Sequence, residues 1–346
     1  MEKLKKSFLR FAQMEARGKS ALYESWCLQL IGDEQLLNLA TNIPVDQPKP
    51  NLFFASVQYL SYKKHDPLIR FFQETPSIDF EASFFQLKRF CRSYERELIE
   101  LFQIKLVQTN EVNRASYLYP IFSLIYEKEK KPLTLIEIGT SAGLLLNVDQ
   151  YRYEVNEQGK IITYGAVKSQ LTIHAKNLGT PLPKLNGPVV KNRIGFDLNC
   201  LNLQNEEDLK WLQALIWPEQ KGRIQNLQLA AEIQKKSDIQ LITGNFVELL
   251  PQVLEQPTTY DTQIVIFHTH VANQFSSSLK EQLTQILHEA SSQQPIYHVY
   301  NNMVDANLRV DYLWKGTAAT ISRLSNYDGH GTMFEWNVIS NLVEEN

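Results

Sequence analysis

Residues 133–147 read LTLIEIGTSAGLLLN: a β-rich run that ends on Glu137, turns at Gly139 and resumes as an apolar segment after Gly143. Two readings compete for it. One is a plain strand-to-helix turn, and the other is a turn built to hold a nucleotide. Glycine suits both, because a backbone without Cβ takes positive φ and lets another group approach closely. If a helix begins here, the free N–H groups at its start, around Ser141 to Leu144, attract a carboxylate or phosphate, and Thr140 just before them is a further cofactor-binding candidate. Ser141 stands where the dinucleotide fingerprint has its middle glycine, so a ligand without pyrophosphate fits the turn better.

Four more β-rich runs follow: NRIGFDLN (192–199), DIQLITGN (238–245), TQIVIFHTH (262–270) and PIYHVYNN (295–302). Apolar runs interleaved with helical stretches predict a parallel sheet covered on both faces. The segment ATISRLSNY, then Asp328-Gly329, then TMFEWNVI, reads as a terminal antiparallel hairpin. Before Pro132 the texture differs. Apolar residues recur at helical spacing, as in Leu4, Phe8 and Phe11, with breaks at IPVDQPKPN (43–51) and near 75–78. The expectation is an all-helical N-terminal domain over 1–115 and a Rossmann-like α/β domain over 116–346. A hairpin at about 151–190, including YRYEVNEQGKIITYG, is inserted into that second domain.

Composition narrows the partners. The 346 residues carry 35 Lys and Arg against 38 Asp and Glu, a net charge of -3, which gives no field to gather nucleic acid or anionic lipid. Three scattered cysteines suit a reducing compartment and make neither a disulfide framework nor a zinc knuckle. No run approaches the ~20 apolar residues of a spanning helix. The N-terminus carries no secretory pattern. A cytoplasmic protein without a membrane partner is expected.

Candidate site residues gather at the ends of the expected strands. Asp197, followed by Leu198, closes the second strand, where an acid accepts hydrogen bonds from ribose hydroxyls. Asn245 and Phe246 close the third, an amide for an adenine edge and a ring for its face. His268 closes the fourth as the candidate general base, with Asn273 to orient it. Each has a plainer reading, as a turn former, a helix cap or a histidine satisfied by backbone. His268 and His270 form an H-x-H pair without a third ligand, so no metal site is expected. Asn110, Glu111 and Arg114 are candidates for an acceptor pocket, as are Tyr23 and Arg152; capping and surface pairing are the alternatives. WLQALIWPEQ (211–220) reads as a helix packed on the sheet.

The order of motifs resembles the class I S-adenosylmethionine-dependent methyltransferases: IEIGTSAG looks like their glycine motif, IGFDLN their ribose-binding acid and TGNFVELLP their adenine-side motif. Nearly the whole chain resembles the bacterial family called domain of unknown function 2332, through ARGKSALYE (16–24), NLFFASVQYL (51–60), VQTNEVNR (107–114), EIGTSAGLLLNVDQYRY (137–153), WLQALIWPEQ and IFHTH (266–270). Asn245 stands where that family more often has Asp, and His270 where it usually has an apolar residue. The resemblance implies methyl transfer from S-adenosylmethionine to a small-molecule acceptor. Two other classes remain: a non-catalytic nucleotide-binding or regulatory protein, and an NAD-dependent oxidoreductase, since an acid on ribose serves either cofactor.

Overall fold

The computed structural model describes residues 1–73, 78–108, 110–256 and 261–337. The expected break at 75–78 lies mostly outside them, as do the last two residues of TMFEWNVI. The chain divides into two compact units, one of residues 1–109 with 205–225 and the other of residues 110–204 with 226–346.

The first unit is helical. Its helices include Ala21–Leu30, Glu34–Thr41, Lys49–Lys64 and Phe80–Ser93. Three begin on a side chain that accepts a backbone N–H: Ser20 from Tyr23, Asp33 from Leu36 and Asp79 from Ala82. The long helix Lys49–Lys64 is buried on nearly every side from Leu52 to Ser61, so no polar stripe marks it. Aromatic rings fill the space around it, with Tyr23 stacked on Phe54 at 4.6 Å and Trp217 near Phe11 at 5.5 Å. WLQALIWPEQ belongs here rather than on the sheet. Trp211 donates its indole N–H to the Leu106 carbonyl (3.0 Å) and meets Tyr59 edge-on at 5.7 Å.

The second unit holds a mostly parallel sheet. Its strands are β1 (Leu133–Ile138), β5 (Val190–Asp197), β6 (Gln240–Thr243), β7 (Gln263–His268), β8 (Ile296–Tyr300), β9 (Leu308–Trp314) and β10 (Thr317–Leu324), in the order β10-β9-β8-β7-β1-β5-β6. The strands from β8 to β6 in that order run parallel, and β9 runs antiparallel to both neighbours. The central strands β1, β7 and β8 are buried throughout, which is why they read as unbroken apolar runs. Helices Phe246–Leu254 and Ser277–Ala290 cover one face, packing Leu250, Val253, Leu283 and Leu287 against Ile136, Ile194, Ile266 and Ile296. On the other face Phe122, from helix Ala115–Glu129, meets Phe267 at 5.2 Å.

Three expectations change. The antiparallel hairpin is β9–β10, joined at Lys315-Gly316, both in the left-handed region. Asp328-Gly329 does turn the chain, with one antiparallel bridge from Tyr327 to Phe334, but β11 (Met333–Phe334) then joins a second sheet. That sheet is the inserted hairpin grown larger: β2 (Arg152–Glu157) pairs antiparallel with β3 (Lys160–Gly165) and parallel with β4 (Thr172–Asn177), which pairs with β11. After the β1 turn the chain forms a 3-10 segment, Leu144–Gln150, kinked at Asn147, in place of the expected α-helix. Among the described residues no helix is long and apolar enough to cross a membrane.

Candidate functional site

The strand order reverses at β1. From β1 the chain builds outward to β5 and β6, then returns to β7 and β8 on the other side. Sheets of this kind open a crevice at the carboxyl ends of the strands at such a reversal. Glu137, Asp197 and Thr269 lie at those ends.

The turn is closed by its own neighbours. Gly139 adopts φ +75°, and a Cβ there would lie 2.7 Å from Cγ2 of Val271. Its N–H and that of Thr140 both donate to the Phe196 carbonyl (2.8 and 3.0 Å). Thr140 folds back over Gly195 and donates its hydroxyl to Oε2 of Glu137 (2.7 Å), a placement that a Cβ at Gly195 would block at 2.6 Å. Ser141, itself left-handed at φ +52°, donates its N–H to Oδ2 of Asp197 (2.8 Å). Asn110 donates Nδ2 to the Ser141 hydroxyl (2.5 Å) and accepts from the Ala142 N–H (3.4 Å). Gly143, at φ +75°, donates its N–H to the Thr140 carbonyl (2.9 Å) and leads into the 3-10 segment. The anion-binding helix start expected at this turn is therefore replaced by amides that already have acceptors.

Two carboxyl groups remain. Asp197 also accepts from the Asn199 N–H (2.9 Å), and Leu198 between them is 77% exposed. Glu137 is buried. Burial, reinforced by the negative charge of Asp197, pushes its carboxyl up to about 8, against the Thr140 hydrogen bond and the charge of Arg114. Its second oxygen accepts no hydrogen bond among the described residues. A carboxyl in this state exchanges its proton near neutrality.

The other expected site residues divide. Asn110, Glu111 and Arg114 do reach the strand ends. Glu111 caps the turn Val112–Arg114 and pairs with Nδ1 of His330 at 3.3 Å. Arg114, nearly buried, donates Nε to the Gly329 carbonyl (2.9 Å) and Nη1 to the Thr269 carbonyl (3.3 Å). Asn245 is an exposed cap, accepting from the Val247 N–H (3.1 Å), while Phe246 packs on Phe275 at 5.5 Å. Arg152 lies on β2 and bonds Glu154 (2.7 Å). Tyr23 is core of the helical unit, its hydroxyl donated to Gln58 (2.7 Å).

His268 is corrected most. Glu137 pairs with Phe267, so the pleat sends His268 to the opposite face of the sheet from Glu137. It is fully buried there. Its Nε2 meets Nε2 of His298 at 3.1 Å, and Phe275 and Tyr300 flank the ring. Burial, with Lys280 adding to it, lowers His268 to about 3, so the pair is neutral and one ring donates to the other. Asn273 is exposed on the turn Ala272–Gln274 and does not orient the ring. Sequence reading passed over Tyr117, Thr269, Asn301 and the segment 327–331. They reach the strand ends by tertiary contact across up to 215 residues, as in the bond from Arg114 to Gly329, and no local pattern announces that. Among the described residues no group of three or more His, Cys, Asp or Glu is arranged to hold a metal ion.

A mostly parallel α/β sheet with carboxyl groups at the strand ends beside a reversal of strand order defines the class. The chain belongs to the family of uncharacterized proteins conserved in bacteria known as DUF2332, which it matches over residues 5–336. No curated protein and no solved structure matches it.

Proposed function

We propose that the crevice beyond β1 and β5 binds S-adenosylmethionine and that the protein transfers its methyl group to a small-molecule acceptor. The observation that carries this reading is the position of Asp197: it ends the strand next to β1, its carboxylate lies against the turn at Ser141, and Leu198 beside it is exposed. A carboxylate there suits ribose hydroxyls, and an exposed aliphatic side chain suits an adenine face.

The residues present also support this cofactor over a dinucleotide. Glu137 and Asp197 act on one another electrostatically, and the segment after the turn is a short 3-10 stretch. Two acids without a helix start favour a ligand bearing a sulfonium and an ammonium group over an anionic pyrophosphate. The turn glycines do not bear on the choice, since Gly139 answers to Val271 and Gly143 to Leu241. When bound, S-adenosylmethionine supplies an electrophilic methyl group. The chain's own contribution would be positioning and exclusion of water, with Asp197 orienting the ribose and Glu137 the amino group. His268 has no part in this scheme, being a neutral core residue on the other face.

Calorimetric titration with S-adenosylhomocysteine tests the reading. Asp197→Asn keeps one acceptor for the turn while removing the charge. Wild-type protein should bind saturably and the variant at least tenfold more weakly, about 1.4 kcal/mol; no binding by the wild type would reject the cofactor. One observation favours a second reading, a pocket that binds without turnover: the turn amides at Ser141 and Ala142 already have internal acceptors. Incubation with methyl-labelled S-adenosylmethionine and a small-molecule extract separates the two, since only the first passes label to an acceptor.

A further inference from the structure

Arg114 is the hub of a polar cluster that the cofactor reading does not use. Its Nε and Nη1 hold the Gly329 and Thr269 carbonyls, and Nη2 has no acceptor among the described residues. Two more polar atoms nearby lack partners. Tyr117 is fully buried, its ring edge-on to Tyr327 at 5.4 Å, and its hydroxyl bonds nothing among the described residues. His270 meets the same Tyr327 ring at 6.1 Å, and its Nε2 is buried without a partner. The His270 backbone is pinned, its N–H donated to Oδ1 of Asn301 (2.7 Å).

The Tyr327 ring touches both Tyr117 and His270, and Arg114 reaches the carbonyls of Thr269, next to His270, and Gly329, two residues beyond Tyr327, so these groups lie together. Burial, then Arg114 and His330, lower His270 to about 4, which leaves its ring neutral. Buried polar groups without partners are uncommon, and two against one tyrosine ring, with an arginine beside them, call for a ligand.

We propose that Arg114, Tyr117 and His270 form a binding site for a small hydroxy- or amino-carboxylate. The guanidinium Nη2 and the Tyr117 O–H donate to the carboxylate, and the ligand's hydroxyl or amino group donates to Nε2 of His270. Arg114 suits the anionic end because its planar fork is already fixed by two carbonyls. The site stands whether or not the crevice takes S-adenosylmethionine. The carboxylate has two possible sources, the amino-acid tail of that cofactor or a separate acceptor.

The test uses full-length protein with ¹³C-labelled histidine. The His270 Cε1–H signal, assigned by its loss in His270→Gln, is followed during titration with glycolate, glycine, acetate and chloride. Glycolate or glycine should shift it saturably, and chloride should not. Tyr117→Phe should weaken probe binding at least tenfold while raising or leaving unchanged the unfolding midpoint, because the hydroxyl has no protein partner to lose. His270→Gln, read by calorimetry, should lose the preference for glycolate over acetate. Glycine that is blocked by S-adenosylhomocysteine identifies the cofactor tail as the source, and glycine that binds beside it identifies a separate acceptor. The site is rejected if neither probe shifts His270 saturably, if chloride matches glycolate, or if Tyr117→Phe lowers stability with probe affinity unchanged.

Discussion

Glu137 shows how burial at a strand end changes a carboxyl group. It sits in a fully buried strand with Gly195 on one side and Phe267 on the other, so its carboxylate has Thr140 and little else for solvation. Its carboxyl rises from an ordinary 4.5 to about 8, chiefly through burial. Below pH 4.5 both the folded and the unfolded chain hold the proton. Between there and about 8 only the folded chain does, so stability falls as pH rises through that window. Glu137→Gln keeps an acceptor for Thr140 and removes the titration. The variant should gain on wild type from pH 5 to pH 8 by an amount on the order of a few kcal/mol, read as the difference in urea midpoints. A gap that stays constant with pH would mean that Glu137 is ionised throughout. The place of Glu137 was legible, because an acid closing an apolar strand stands out in sequence. The fate of His268 was not. The face it occupies depends on the pairing of Glu137 with Phe267, and register across 130 residues leaves no local trace.

At the scale of elements, β1 and its turn are held by packing and by backbone hydrogen bonds. Gly139 combines a left-handed backbone with contact against Val271. Gly139→Ala should therefore cost about 1–3 kcal/mol, part from the backbone and part from the clash. In a Val271→Ala background the loss should shrink, because only the clash is relieved; equal losses in both backgrounds, measured by chemical denaturation, would show that Val271 is not what the glycine avoids. Of the five parallel strands, β1, β7 and β8 were readable because burial on both faces forces continuous aliphatic runs, while the partly buried β5 and β6 keep only short ones. β9 escaped because LRVDYLW is buried only at intervals and mixes charges with its apolar residues. The second sheet escaped because its fourth member, β11, is two residues long and comes from the far end of the chain. Asn245 was misread by type, since a strand-end amide beside a glycine serves a helix cap as well as an adenine edge, and here Val247 takes it.

For the whole molecule, the question is whether ligand binding belongs to one unit or needs both. Every group proposed to hold the cofactor, from Glu137 and Ser141 to Asp197, lies in the unit built on the parallel sheet. Tyr23, expected at the acceptor pocket, instead spends its hydroxyl on Gln58 within the helical unit. Tyr23→Phe should accordingly lower stability by about 1 kcal/mol, leaving Gln58 short of a donor, while affinity for S-adenosylhomocysteine stays unchanged. Amide exchange sharpens the contrast. A ligand at 100 times its dissociation constant stabilises the state it binds by about 2.7 kcal/mol, enough to slow exchange about a hundredfold wherever opening breaks the site. With S-adenosylhomocysteine, amides at 139–143 and 197–199 should slow, whereas those of helix Lys49–Lys64 should keep their rates. Matching protection in both units, or reduced affinity in Tyr23→Phe, would show that the helical unit contributes to the site directly, and the cofactor would then have to be assigned to both parts of the chain.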